Sequence, residues 1–144
     1  MRLLPRLFAV VAACGIFPAA HAACTAATIK GAYSVTISGW YSGYAPMSGV
    51  GHATLDGIKT VTLSTYRESM SGTIVSYTGT GTYTLDAYCR GWATITLKQN
   101  GVAAGTLSMP FTVAGTPALP SITGVVSNSA NEFSGNATLN KIGI

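Results

Sequence analysis

The sequence predicts an all-β fold, a single antiparallel barrel of about eight strands, from three observations. Apolar and polar residues alternate with a period of two along most of the chain, which is typical of strands with one buried face. Turn dipeptides such as Asp56-Gly57 and Asn100-Gly101 separate these runs at spacings of about 10 to 15 residues. No segment after residue 22 shows a helical period. A β-sandwich fits the same observations and is the alternative.

The first 22 residues have the three parts of a secretory signal peptide. Arg2 and Arg6 supply its positive segment, and residues 7–17 form an apolar run that is too short to span a bilayer. Ala20-His21-Ala22 is a cleavage site of small residues. We therefore expect residues 1–22 to be removed and residues 23–144 to form one domain of a secreted or periplasmic protein.

Charge is sparse in the rest of the chain. Without the two leader arginines, six basic and four acidic residues remain, which gives a net charge of +2. These charges are scattered, whereas a nucleic-acid partner requires a clustered basic patch. No stretch after the leader is long and apolar enough for a helical membrane span. We therefore expect neither a nucleic-acid partner nor a membrane span, and we leave the oligomeric state open.

Two cysteines, Cys24 and Cys89, remain after the leader. In an oxidising compartment they are expected to form a disulfide. The bond would close a loop of about 65 residues and stabilise the fold by about 4 kcal/mol in the chain-entropy model. The alternative is a lipid anchor on Cys24, because residues 21–24 resemble a bacterial lipoprotein box. That box usually has an aliphatic residue where His21 stands, and lipidation would leave Cys89 as a free thiol.

The strands are predicted in chain order from the alternating runs. Residues 40–48, rich in aromatic residues, Gly, Pro and Ser, are expected to form a loop after the first strand. In the third strand, Val61, Leu63 and Thr65 are expected on one side and Tyr66 on the other. The predicted strands are residues 31–40, 49–55, 60–69, 73–86, 91–99, 105–114, 121–127 and 132–142.

Residues 79–97 form the clearest predicted hairpin. Apolar residues share one side of each of its two runs, and threonines occupy the other side. Gly79 and Gly81 lie inside the first run and predict a bulge or a bend. Cys89 lies in the turn, so a disulfide there would fasten the N-terminus to that end of the barrel.

Polar residues on the second and third strands are candidate ligand contacts. If the Asp56-Gly57 turn pairs these strands, His52 and Arg67 lie on one face, where they would be polar contacts inside an apolar barrel. The interpretation that we favour places His52, Arg67 and Glu68 on a solvated face. His52 is the one histidine after the leader, so we expect no metal site. The chain has no G-x-S-x-G motif, and we assign no catalytic residue.

Aromatic residues near two predicted turns are the other candidates. Large amphipathic rings of this kind line a pocket mouth or cap the core. Tyr88 and Trp92 flank the turn that holds the disulfide, which weakens their case as ligand contacts. Trp40, Tyr41 and Tyr44 are therefore the stronger candidates for ligand binding, at the end of the barrel that the disulfide does not close.

The chain resembles a group of small secreted bacterial proteins of unknown role, in which a G-x-Y start precedes a hairpin ending in C-x-G. The resemblance implies a barrel similar to the calycins, including lipocalins and allene-oxide-cyclase-like barrels. Gly31-Ala32-Tyr33 is loosely similar to the lipocalin G-x-W, and Lys141 stands where that family has a late-strand Arg. No cyclase motif is present. The resemblance rests on Cys24, residues 30–33, residues 51–57, residues 77–85 and residues 89–91.

Three functions remain open on this evidence. The first is a secreted or periplasmic protein, without a cofactor, that binds a small apolar or amphipathic ligand, since an eight-stranded barrel has room for one. The second is a cell-surface or interaction protein whose barrel core is filled. The third is an enzyme of the cyclase or isomerase type, which would need a polar residue inside the barrel. We expect a protein without catalytic activity.

Overall fold

Eight strands, each antiparallel to the next, close into a barrel because the last strand also pairs with the first. This computed structural model describes residues 23–41, 45–128 and 133–143. The closed sheet confirms the predicted barrel and is not a sandwich. The strands are β1 (Gly31–Tyr41), β2 (Ala45–Leu55), β3 (Thr60–Met70), β4 (Thr73–Leu85), β5 (Arg90–Gln99), β6 (Val102–Gly115), β7 (Pro120–Asn128) and β8 (Phe133–Lys141).

The interior is filled by the alternate residues that the period of two predicts. Along β1, for example, Tyr33, Val35 and Ile37 are buried, while the residues between them carry hydroxyl groups. The predicted hairpin of residues 79–97 is present, with Gly79 opposite Leu97. Within the described ranges, no helix has the length and hydropathy needed to cross a bilayer.

The barrel has a closed end, which holds the start of β1 and the turns that follow β2, β4 and β6. A 3-10 helix, Ala26–Ile29, covers this end, and its last residue is fully buried. The Tyr33 hydroxyl donates a hydrogen bond of 2.8 Å to the Ile29 carbonyl, and burial raises the pKa of Tyr33 to about 12. Cys24 and Cys89 form the predicted disulfide, with their Cα atoms 5.0 Å apart. The disulfide therefore joins the segment before β1 to the turn between β4 and β5.

The turn between β2 and β3 shows how the closed end is ordered. The Asp56 carboxylate accepts hydrogen bonds from the backbone N–H groups of Ile58, Lys59 and Thr60 at 2.8, 2.9 and 2.8 Å. These bonds, the one from Ile58 first, lower the pKa of Asp56 to about 2. Gly57 adopts φ +82°, as the predicted turn dipeptide requires, although the connection is longer than a two-residue hairpin turn.

The open end lies opposite and holds the last residues of β1, β3, β5 and β7 and the first residues of β2, β4, β6 and β8. The prediction of a loop over residues 40–48 was wrong for most of that stretch. Trp40 pairs with Pro46 and Tyr41 pairs with Ala45, so β1 and β2 continue nearly to the tip of their hairpin. Cross-strand pairing at a barrel rim satisfies the backbone even where Gly, Pro and Ser predict a loop. Tyr44 lies outside the described residues.

A β-bulge in β3 decides which of its side chains enter the barrel. Ser64 and Thr65 are both exposed, and the strand has one extra residue there relative to both of its neighbours. Leu63 points inward before the bulge, and Tyr66 and Glu68 are buried after it. The expected strict alternation across Thr65 and Tyr66 is therefore wrong. The bulge predicted from Gly79 occurs beside that residue, but on the partner strand β3.

Candidate functional site

The centre of the barrel holds a small apolar cavity of about 40 Å³. Aliphatic and aromatic side chains from all eight strands line it, including Val35, Leu63, Phe111 and Leu139. Sites for drug-sized ligands are typically about 300–1,000 Å³, so this cavity is too small to enclose one. The interior is close to a packed core, as side chains fill many barrels of this size.

The open end has a larger concave surface, the mouth depression, with a volume of about 600 Å³. It is formed by the open-end residues of β1, β3, β4, β5 and β6, which are predominantly apolar. Its size lies within the range of small-molecule sites. The lining residues are Tyr41, Met70, Val75, Tyr77, Gln99, Val102, Ala103 and Ala104.

A buried carboxylate, Glu68, lies beside the mouth depression. Its side chain is only 4% exposed, and it is the one buried acidic or basic side chain within the described ranges. The Tyr41 hydroxyl donates a hydrogen bond of 2.8 Å to Glu68 Oε1. The ion pair that the described residues form, between Arg90 and Asp86, is at the closed end. Tyrosine hydroxyls, not a basic side chain, therefore stabilise this carboxylate.

Three tyrosines form a cluster with Glu68. Tyr66 stacks on Tyr77 with ring centroids 6.2 Å apart, and Tyr41 packs against Phe133 at 5.5 Å. Burial, followed by the charge of Glu68, raises the pKa of Tyr77 to about 12. Burial first and the Glu68 carboxylate second also raise the pKa values of Tyr41 and Tyr66 far above the ordinary tyrosine value. All three phenols therefore stay protonated at neutral pH, and the hydroxyls of Tyr41 and Tyr66 donate to Glu68 and Met47.

The packing of Tyr66 depends on a glycine in the neighbouring strand. The Tyr66 ring lies over Gly49, where an added Cβ would come within 2.6 Å of the ring carbon Cζ. The Tyr66 hydroxyl lies 3.9 Å from the Met47 sulfur, to which it donates a weak hydrogen bond. Gly49 and the bulge in β3 together give this ring its place inside the barrel.

The structure separates the five predicted ligand contacts. Tyr41 points into the mouth depression. Trp40, its neighbour, points outward and is 57% exposed. His52 and Arg67 are exposed on the outer wall, where they do share one face, so neither lies inside the barrel. Tyr44 is not among the described residues.

Sequence reasoning missed Glu68, Tyr66 and Tyr77 as site residues. The available signal was the break in alternation at Ser64-Thr65, where two polar residues separate Leu63 from Tyr66, because a bulge inserts one extra residue into a strand. A bulge there returns Tyr66 to the inner face and takes Glu68 with it. Without that step, strict alternation puts Tyr66 and Glu68 on the face opposite Leu63.

The polar groups of the arrangement are the Glu68 carboxylate, the hydroxyls of Tyr41 and Tyr77, and the Gln99 amide, and the neighbouring surface is apolar. Within the described ranges, no three His, Cys, Asp or Glu side chains converge as metal ligands would. The chemistry on offer is recognition of a polar group at the edge of an apolar surface.

Comparison with known proteins places the fold but no family. No family model matches the chain, and curated proteins give no significant match. Among solved structures, the chain is similar to a redesigned β-barrel, mFAP1, bound to DFHBI, with a TM-score of 0.53 and 16% sequence identity. The similarity covers 82% of this chain and 98% of that chain. At this identity it shows the barrel architecture alone, which is consistent with the calycin-like barrel that the sequence resemblance implied.

Proposed function

We propose that this protein is a secreted or periplasmic barrel that binds one small amphipathic ligand in the mouth depression. The observation that carries the proposal is the concave surface of about 600 Å³ beside the buried Glu68. An apolar surface with a few convergent polar groups is the usual form of a small-molecule site. Tyr41 supplies both, because its ring lines the depression and its hydroxyl binds Glu68.

The ligand is expected to lie at the mouth of the barrel and not deep inside it. The central cavity of about 40 Å³ has no space for more than a small group without rearrangement of the core. The apolar part of a ligand would instead contact Met70, Val75 and Val102, which line the depression. Burial of apolar ligand surface there contributes about 25 cal/mol per Å².

The location outside the cytoplasm rests on the leader-like first 22 residues and on the disulfide. Disulfides persist in oxidising compartments and are rare in the cytosol. The Cys24 sulfur is bonded to Cys89, and a sulfur in a disulfide cannot also carry a lipid. We therefore favour a protein released by cleavage after Ala22 over a lipid-anchored one.

Native mass spectrometry of the secreted protein tests ligand binding and processing together. For the processed disulfide form, the expected mass is that of a chain beginning at Ala23, lower by about two hydrogens than the mass of the reduced chain. Release of one co-purifying small molecule at raised collision energy would support binding. A clean apo mass after gentle purification would count against it, and added acyl chains on Cys24 would overturn the proposed processing.

A pair of variants on β6 tests the position of the site. Ala104 lines the mouth depression, whereas Ala114 is exposed near the other end of the same strand. Ala104→Trp is expected to fill the depression and abolish ligand retention, and Ala114→Trp is expected to retain the ligand. Equal retention by both variants, with both folded by circular dichroism, would place the ligand elsewhere.

A protein that acts through its outer surface is the second candidate. The small central cavity favours it, because a filled core leaves no enclosed ligand site. The outer wall is lined by Ser and Thr side chains, such as Thr112 and Thr123, whose hydroxyl oxygens lie 3.4 Å apart. This candidate predicts the clean apo mass and no effect of Ala104→Trp.

An enzyme of the cyclase or isomerase type is favoured by one observation, the Glu68–Tyr41 hydrogen bond at the mouth. A buried carboxylate beside a protonated phenol can exchange protons with a bound substrate. NMR spectra of a supplied ligand before and after incubation with the protein distinguish this candidate, because turnover would convert the ligand into a product or isomer with different resonances.

A further inference from the structure

The tyrosine oxygens of the mouth depression act mainly as hydrogen-bond acceptors. A tyrosine hydroxyl has one proton and two acceptor lone pairs. The proton of Tyr41 is donated to Glu68 Oε1, so the Tyr41 oxygen can only accept a further hydrogen bond. Tyr77 also lines the depression, and its hydroxyl interacts with the same carboxylate. The oxygens of Tyr41 and Tyr77 thus lie beside Glu68 as acceptors, and Gln99, the third polar side chain of the lining, can both donate and accept.

The charge of the site is one-sided. Glu68 is 4% exposed and, within the described ranges, forms no ion pair. Arg67 and Lys98, the basic residues near this end, are exposed on the outer wall. A buried carboxylate without a counterion pays a desolvation cost that tyrosine hydrogen bonds offset in part. A cation in the depression would reduce that cost further.

The rings of Tyr41 and Tyr77 add to this preference. Both line the depression, and an aromatic face attracts a cation by about 0.5–2 kcal/mol. A carboxylate in the same place would face acceptor lone pairs and the negative charge of Glu68. Like charges brought together in a water-poor site repel each other.

We infer that the polar group of the ligand is a hydrogen-bond donor carrying positive charge, a protonated amine, and that the site rejects carboxylates. This inference rests on the proposed function, because it names the chemistry of the ligand that the mouth depression binds. The amine would donate to the Tyr41 oxygen and lie close to Glu68, and its alkyl part would cover Met70 and Val75. The site would thereby distinguish alkyl amines from fatty acids of equal length.

Three eight-carbon probes test this inference: octylammonium, 1-octanol and octanoate at pH 7. Each is titrated into nitrogen-15-labelled protein, and affinity and position are read from the backbone and Gln99 side-chain amide shifts. Octylammonium is expected to bind at least about 10-fold more tightly than octanoate, a difference of about 1.4 kcal/mol, with octanol in between. The shifts are expected at residues 99–104.

Two variants on β3 separate the buried charge from the general field of the protein. Glu68→Gln retains the shape and removes the charge, and it is expected to reduce the preference for octylammonium over octanoate to less than about 3-fold. Arg67→Gln is the matched control, one residue away on the outer wall, and it is expected to leave the preference within about 2-fold. A preference that survives Glu68→Gln would overturn the inference.

The outcomes separate the inference from the proposed function. If all three probes bind at residues 99–104 with equal affinity, or if octanoate binds best, the inference fails while ligand binding at the mouth stands. If none of them shifts these residues, the proposed function fails as well. Should Glu68→Gln not fold, Tyr41→Phe replaces it, since the ring still packs on Phe133 while the acceptor oxygen is lost. Tyr41→Phe must then weaken octylammonium binding more than octanol binding, and the reverse order would refute the inference.

Discussion

Deletion of Ser64 tests whether the bulge in β3 builds the site. The bulge supplies one extra residue. Because of it, Val61 and Leu63 before the bulge and Tyr66 after it all point inward. A strand without that residue has strict alternation, so a shift by one position reverses every side chain beyond it. Whichever half of β3 keeps its register, the inward and outward side chains of the other half must exchange faces.

The cost follows from the residues that would reverse. If residues 60–63 exchange faces, Val61 and Leu63 leave the core, and each loses about 1.5–3 kcal/mol of burial free energy, or about 3–6 kcal/mol in total. If residues 65–70 turn, Tyr66 leaves the core at about 3–5 kcal/mol, and the Arg67 guanidinium enters the barrel without a partner. Either loss is a large share of the roughly 5–15 kcal/mol that stabilises an ordinary domain.

Urea denaturation, followed by circular dichroism and tryptophan fluorescence, measures this loss. The deletion is expected to lower the free energy of unfolding by at least about 3 kcal/mol. Ser64→Ala is the control, because it removes one exposed hydrogen bond of 3.3 Å to the His52 carbonyl and leaves the bulge intact. A deletion variant within about 1 kcal/mol of the wild type, with an unchanged slope, would refute the reasoning.

Three further predictions concern the closed end. Replacing Cys24 and Cys89 together by Ser is expected to lower the free energy of unfolding by about 4 kcal/mol, measured in urea. Tyr33→Phe removes the buried hydrogen bond to Ile29 and leaves that carbonyl unsatisfied, so a loss of about 1–3 kcal/mol is expected in the same assay. Asp56→Asn is expected to be less stable than the wild type at pH 7. Because the pKa of Asp56 is lowered to about 2, this stabilisation is present above the unfolded-state pKa of about 3.9. The gap between the two proteins should therefore close as the pH falls from about 4 to 2, in urea titrations at each pH.

Each of these predictions has a result that would contradict it. A double serine variant as stable as the oxidised wild type would show that the disulfide does not constrain the unfolded chain. Equal stability of Tyr33→Phe and the wild type would mean that water satisfies the Ile29 carbonyl. A constant gap between wild type and Asp56→Asn down to pH 2 would show that the turn does not depend on the charge of Asp56.

The predictable part of the fold came from local patterns. Alternation predicted the inward face of β1, and the Asp56-Gly57 dipeptide predicted a turn between β2 and β3, because both signals lie within a few residues. The disulfide was predictable because Cys24 and Cys89 are the two cysteines beyond residue 22. The loop predicted for the aromatic stretch of residues 40–48 was wrong for most of its length, because composition cannot show that a partner strand continues opposite it.

The site was only partly predictable. Tyr41 was expected at the open end and lies there, lining the mouth depression. Glu68 was expected on a solvated face and is buried, because one inserted residue changes the face of all residues that follow. His52 and Arg67 were considered as interior contacts and lie on the outer wall.

The sequence alone predicted the all-β class, about eight strands and the pairing of Cys24 with Cys89, since these depend on residue spacing and on cysteine count. Only the tertiary structure decided between a barrel and a sandwich, how little space the core leaves, and that Glu68 lies among three tyrosines. Those features depend on barrel closure and on the register across β2, β3 and β4, which join residues far apart in the chain. The bulge at Ser64 and Thr65 connects the two levels, since its residues are local and its effect on Tyr66 and Glu68 appears only when the barrel closes.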